Sequence, residues 1–94
     1  MVKLKIKNKV YNYEKSSRAD KKLSVVVNGR TIHFGQSSMQ HFYDKTRIWK
    51  SKDHLDKERR KNYRARASGI KNKEGKLTYL DPNSPNFHSY NVLW

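Results

Sequence analysis

With 94 residues, the chain fits one small domain and leaves no room for a second. Its 22 Lys and Arg against 8 Asp and Glu give a formal net charge of +14, far more than solubility requires. It has no cysteine, which excludes disulfides and thiolate metal sites, and no apolar run as long as a membrane span or signal-peptide core, so a soluble, non-secreted protein without a membrane partner is expected.

The charge is uneven. Residues 1–22 carry a net +6 and residues 45–76 a net +9, while 23–44 are neutral and 77–94 hold only Asp81. Like charges packed this densely oppose folding, and a polyanionic partner relieves them. The neutral, aromatic-rich blocks are therefore the expected core, and the basic blocks the expected contact surface.

Val2 to Lys7 alternates apolar residues with Lys, then Lys9-Val10 resumes the pattern. Period-two alternation reads as a strand with Leu4 and Ile6 on one face and a comb of Lys3, Lys5 and Lys7 on the other. The other reading is a disordered basic arm. Residues 1–22 are accordingly taken as a basic strand or arm, and 23–94 as one small α+β domain. Glu14 to Lys22 reads as a loop. Leu23 to Phe34 is a hairpin, with Asn28-Gly29 supplying the positive φ angles of a type I′ turn. Gly35 ends its second strand. Ser37 or Ser38 can cap a short helical turn carrying Met39, Phe42 and Tyr43, and Lys45 to Lys52 reads as a connector.

A helix is predicted from Leu55 to Ala67, capped by Asp53, with Asp56 and Glu58 favourable in its first turns and Gly69 as its stop. Leu55, Tyr63, Ala67 and the stems of Arg59 and Arg66 are assigned to the buried side, Lys57, Arg60, Lys61 and Arg64 to the exposed side. Asn72 to Lys76 is a turn, Leu77 to Leu80 a short strand, and 81–85 a loop without helix potential. The apolar end, Phe87 to Trp94, should dock, with Trp94 closing the core. The predicted fold is a small antiparallel sheet packed against one basic amphipathic helix, with an irregular C-terminal segment. Its core is drawn from Val25, Val27, Ile32, Phe34, Phe42, Trp49, Leu55, Tyr63, Leu93 and Trp94.

His33-Phe34-Gly35, His41-Phe42-Tyr43-Asp44, Asp53-His54-Leu55-Asp56-Lys57-Glu58-Arg59-Arg60 with Tyr63 beyond it, Ser84-Pro85-Asn86-Phe87 and Leu93-Trp94 form an ordered set of motifs. In these the chain resembles a family of short, basic, uncharacterised proteins of large DNA viruses, including giant viruses of algae and amoebae, and of some phages. The resemblance spans roughly residues 23–94. It implies a viral origin, and so a place in host cytoplasm or nucleus during infection or in the virion. It transfers no catalytic residues. Relatives often end the helix in Arg-His, where this chain has Arg66-Ala67.

The expected function is nucleic-acid binding through phosphates, without strong sequence preference and in association with the viral genome, DNA before RNA. Lys57, Arg60, Lys61 and Arg64 are the expected contacts, helped by Lys3, Lys5 and Lys7. Asn62 and Arg66 are candidates for base or phosphate contact. Arg59 and Arg66 can alternatively pair with Asp44, Asp53 or the C-terminal carboxylate. A second class is a capsid cement bridging acidic coat surfaces. A third is a metal-dependent nuclease built on His33, His41, His54 or His88 with nearby Asp, but no ligand spacing supports it. The expectation is a binding protein that is not an enzyme, with no cofactor, metal or small-molecule substrate.

Overall fold

Asn28 and Gly29 take φ angles of 52° and 76°, and the strands they join pair as the hairpin requires. The computed structural model describes residues 1–94. Four strands, β1 (Val2–Ile6), β2 (Lys9–Lys15), β3 (Lys21–Val27) and β4 (Arg30–Gln36), form an antiparallel sheet in chain order. The basic N-terminal segment is thus two strands of the sheet. Lys7 and Asn8 sit at φ 49° and 68°, so they are the tip of a second tight turn. Lys7 therefore leaves the comb, and lies 5.9 Å over the Phe87 ring. Glu14, Lys15, Lys21 and Lys22, expected in a loop, are strand residues.

One sheet face buries Tyr11, Tyr13, Leu23, Val25, Val27, Ile32 and Phe34. Register explains the set, because Tyr13 opposes Val25, Leu23 opposes Phe34 and Val25 opposes Ile32. Helix α2 (Pro85–Val92) covers this face with Phe87 and Val92, joined by Leu93. His88, also on α2, is fully buried among Tyr11, Tyr13 and Phe34. Its Nε2–H donates to the Pro82 carbonyl at 2.7 Å, so Nδ1 accepts the Tyr13 hydroxyl at 2.8 Å.

The C-terminal segment is therefore helical, not irregular. Ser84 caps it by accepting the Asn86 N–H, and Pro85, expected in a loop without helix potential, occupies the first turn, where its missing N–H costs nothing. Helix α1 (Lys57–Ala67) is shorter than predicted. Asp56, not Asp53, is its N-cap, accepting from the Glu58 and Arg59 N–H groups. Leu55 lies outside the helix at φ 57° and is 60% exposed, so it is not core. Helix α1 packs on α2 rather than on the sheet. Residues 37–49 form turns rather than a capped helix, and Thr78–Leu80 is a 3-10 turn rather than a strand. Trp49 and Trp94 are half-buried against the core, whereas Phe42 and Tyr63, also expected in it, are half-buried outside it.

Candidate nucleic-acid interface and an adjoining basic cleft

The inward side of α1 is set by helical spacing at half-buried Arg60, Tyr63 and Arg64 and buried Ala67; Tyr63 and Ala67 fall as assigned, but Arg60 and Arg64 take the side given to Arg59 and Arg66. Arg60 Nε donates to the Trp94 main-chain oxygen at 2.8 Å, and Arg64 Nε to the same atom at 3.1 Å. Each guanidinium also covers an aromatic ring, Arg60 over Phe42 at 4.7 Å and Arg64 over Tyr90 at 4.8 Å. These two arginines hold the chain end against α1. Lys45 joins them, donating to the Asn91 carbonyl at 2.6 Å, and burial, then the charges of Arg64 and Arg60, lower its pKa.

Lys57 and Lys61 remain fully on the exposed side of α1, with Arg59, Asn62 and Arg66. Arg59 donates to Gln40 at 3.0 Å and Arg66 lies 5.5 Å over Tyr63. Neither pairs with Asp44, Asp53 or the chain end. Lys3 and Lys5 are exposed on the sheet face away from α2, opposite Asn12 and Val10. The predicted contacts therefore divide between two surfaces, the outer sheet face and the outer side of α1. Only Arg18, Arg47 and Lys76, of the 22 Lys and Arg side chains, lie within 4.0 Å of an Asp or Glu carboxylate.

Lys22 departs most from expectation. Strand alternation points it away from the core, yet it is 1% exposed. Its Nζ lies 2.8 Å from His41 Nδ1, and His41 Nε2 lies 2.6 Å from Asp53 Oδ1. An ammonium can only donate, so Nδ1 accepts and the Nε2–H donates to the carboxylate. Arg47 donates to the other Asp53 oxygen at 2.7 Å, and the Asp44 N–H to Oδ1 at 2.9 Å. Burial alone raises the Asp53 carboxyl, but these donors bring it below its ordinary value. Burial, then the Lys52 charge, pulls Lys22 down to about 8. Burial, then Lys22, lowers His41. Asp44, also buried, accepts from the Thr46 N–H and hydroxyl and from the Trp49 N–H, which pins the 44–49 loop. Asp53 is thus the hub that ties this loop to β3.

His54 accepts the Asp56 N–H at Nδ1, and its buried Nε2 has no partner. His33 bonds to Ser16 at 2.7 Å. No group of three or more His, Asp or Glu side chains is placed to hold a metal ion, and no helix is long and apolar enough to cross a membrane.

Between α1 and the ends of β3 and β4 lies a cleft of about 470 Å³. Lys21, Lys22, Gly35 and Gln36 form one wall, Arg59, Asn62, Tyr63 and Arg66 the other, with Leu93 and Trp94 between. Gly35 is needed here: at φ 74°, a Cβ would stand 2.9 Å from Leu93 Cδ1 and 3.3 Å from Lys22.

No family model, curated protein or solved structure matches this chain.

Proposed function

We propose that this is a small viral protein that binds nucleic acid through its phosphates, with little dependence on sequence, and accompanies the genome in the infected cell or the virion. The supporting observation is that just three of 22 cationic side chains face an Asp or Glu carboxylate, so, apart from Lys22, Lys45, Arg60 and Arg64, which are held inside the fold, most of the excess positive charge stays available to an external polyanion. Arg60 and Arg64 leave the contact set because they hold Trp94. Lys57 and Lys61 on α1 remain, with Arg66 and Asn62 at their side and Lys3 and Lys5 on the sheet. The resemblance to virus-encoded proteins supports the setting. The reading is of a binder and not an enzyme.

Purification tests it. Nucleic acid should accompany the protein at low salt and leave at high salt, and Lys57→Gln with Lys61→Gln should reduce the amount carried. A protein that comes free of nucleic acid at low salt and binds capsid shells instead would favour the cement role.

A further inference from the structure

The cleft beside α1 has a lining unlike the rest of the surface. Lys21, Arg59 and Arg66 converge on it, Lys22 lends only its stem because its ammonium is turned to His41, and no Asp or Glu is among its thirteen lining residues. Charges gathered in a concavity raise the local potential above that of the same charges on a convex face. Arg59 bonds only to the Gln40 amide and Arg66 to no acceptor, resting on Tyr63, so guanidinium donors remain free. Asn62, between the two arginines on the same wall, offers both a donor and an acceptor. Met39, 55% exposed, supplies an apolar lip. A volume of about 470 Å³ suits a ligand of mononucleotide size.

We infer that this cleft receives one phosphorylated nucleoside unit of a single strand, its phosphate held by Arg59 and Arg66 and its nucleoside against Met39 and Asn62. This rests on the nucleic-acid reading and deepens it, adding a receptor for one unit to a surface that follows the backbone. Both arginines present forked donors suited to phosphate oxygens. The stacked Tyr63 and Trp94 rings, 4.1 Å apart, give the wall a rigid backing. A duplex cannot enter a cleft of this size without extruding a nucleotide, so single strands or chain ends are the matching substrates.

The test titrates the full chain with dAMP, 2′-deoxyadenosine, inorganic phosphate and a short single-stranded oligonucleotide, following the Trp94 indole and the Asn62 and Gln36 amides by NMR. Saturable shifts with dAMP are expected, with deoxyadenosine about tenfold weaker, as loss of a charge-assisted hydrogen bond predicts, and inorganic phosphate weaker because it lacks the contacts of the nucleoside with Met39 and Asn62. The oligonucleotide should compete. Arg66→Gln, at an exposed position, should weaken dAMP about tenfold with the melting temperature unchanged. No shift at these groups with dAMP or oligonucleotide, while mixed-sequence duplex still binds, overturns the cleft assignment and leaves the backbone-binding reading intact. Shifts with dAMP that the oligonucleotide does not displace overturn the strand as its source. Phosphate binding as tightly as dAMP overturns the nucleoside part. Shifts with dAMP that the oligonucleotide displaces, in a protein that binds no duplex, uphold the cleft and defeat the backbone-following surface of Lys57, Lys61, Lys3 and Lys5.

Discussion

Lys22 Nζ stands 2.8 Å from His41 Nδ1, so a buried cation of the sheet is tied to a neutral imidazole, and through it to Asp53. Were His41 protonated, two cationic donors would face each other across that distance. The pair therefore resists gaining a proton, and pH becomes a probe of the fold.

His41, His54 and His88 are all lowered, each chiefly by burial. The unfolded chain then binds more protons just below the ordinary imidazole value of about 6.5. The histidine contribution to stability should be complete above that value and fall as the pH drops through it toward the folded pKa values. Asp53, also lowered, acts in the same direction lower down, its contribution lost as pH falls through its folded value. Lys22 acts on the alkaline side. With its folded value about 8 and its ordinary value about 10.4, the unfolded chain holds the extra proton in that window, so stability should rise across it. Urea midpoints measured across both windows check this, and Lys22→Met should flatten the alkaline limb.

Removing the hub should be costly. Asp53→Ala leaves the His41 Nε2–H, the Arg47 guanidinium and the Asp44 N–H without their acceptor. A loss of roughly 2–4 kcal/mol is expected in denaturant unfolding. Lost DNA binding in this variant would therefore report the fold rather than a catalytic group.

The two sides of α1 should separate stability from binding. Arg60→Gln with Arg64→Gln removes both donors to Trp94 and should lower the unfolding free energy by about 1–3 kcal/mol, with Trp94 fluorescence shifting toward that of a solvated indole. Lys57→Gln with Lys61→Gln should change stability by less than about 0.5 kcal/mol yet weaken DNA binding. Thermal melts and binding isotherms on the two double variants check this together.

Gly35→Ala should destabilise by roughly 1–3 kcal/mol, from a positive φ and a contact 2.9 Å from Leu93. Asp56→Ala should cost about 1 kcal/mol through the lost cap. Both are read from chemical unfolding.

The β3–β4 hairpin was legible because Asn28-Gly29 and the flanking β-branched runs agree locally. The first hairpin was not, because Lys7-Asn8 is a weaker turn signal and the Lys alternation runs straight into it. Asp56 could have been found as the cap from the Asp-x-x-Arg-Arg run, but only Asp53 precedes the apolar Leu55, where the helix is predicted to start. The side of α1 was misjudged because an arginine with a main-chain acceptor and an aromatic ring is as good an interior neighbour as an apolar stem. Nothing local marks Lys22 as buried. Its partners His41 and Asp53 lie 19 and 31 positions along the chain, and their meeting is a product of tertiary packing.

The central claim concerns charge left over for an outside partner, and ionic strength addresses it directly. Affinity for mixed-sequence DNA should be measured across a range of salt, with the full chain and with Lys57→Gln plus Lys61→Gln. The account predicts a log–log slope of several units, about 0.9 per phosphate contacted, shallower by about two in the variant, and alike for unrelated sequences. An affinity that is indifferent to salt, or a slope unchanged by the two substitutions, would contradict it.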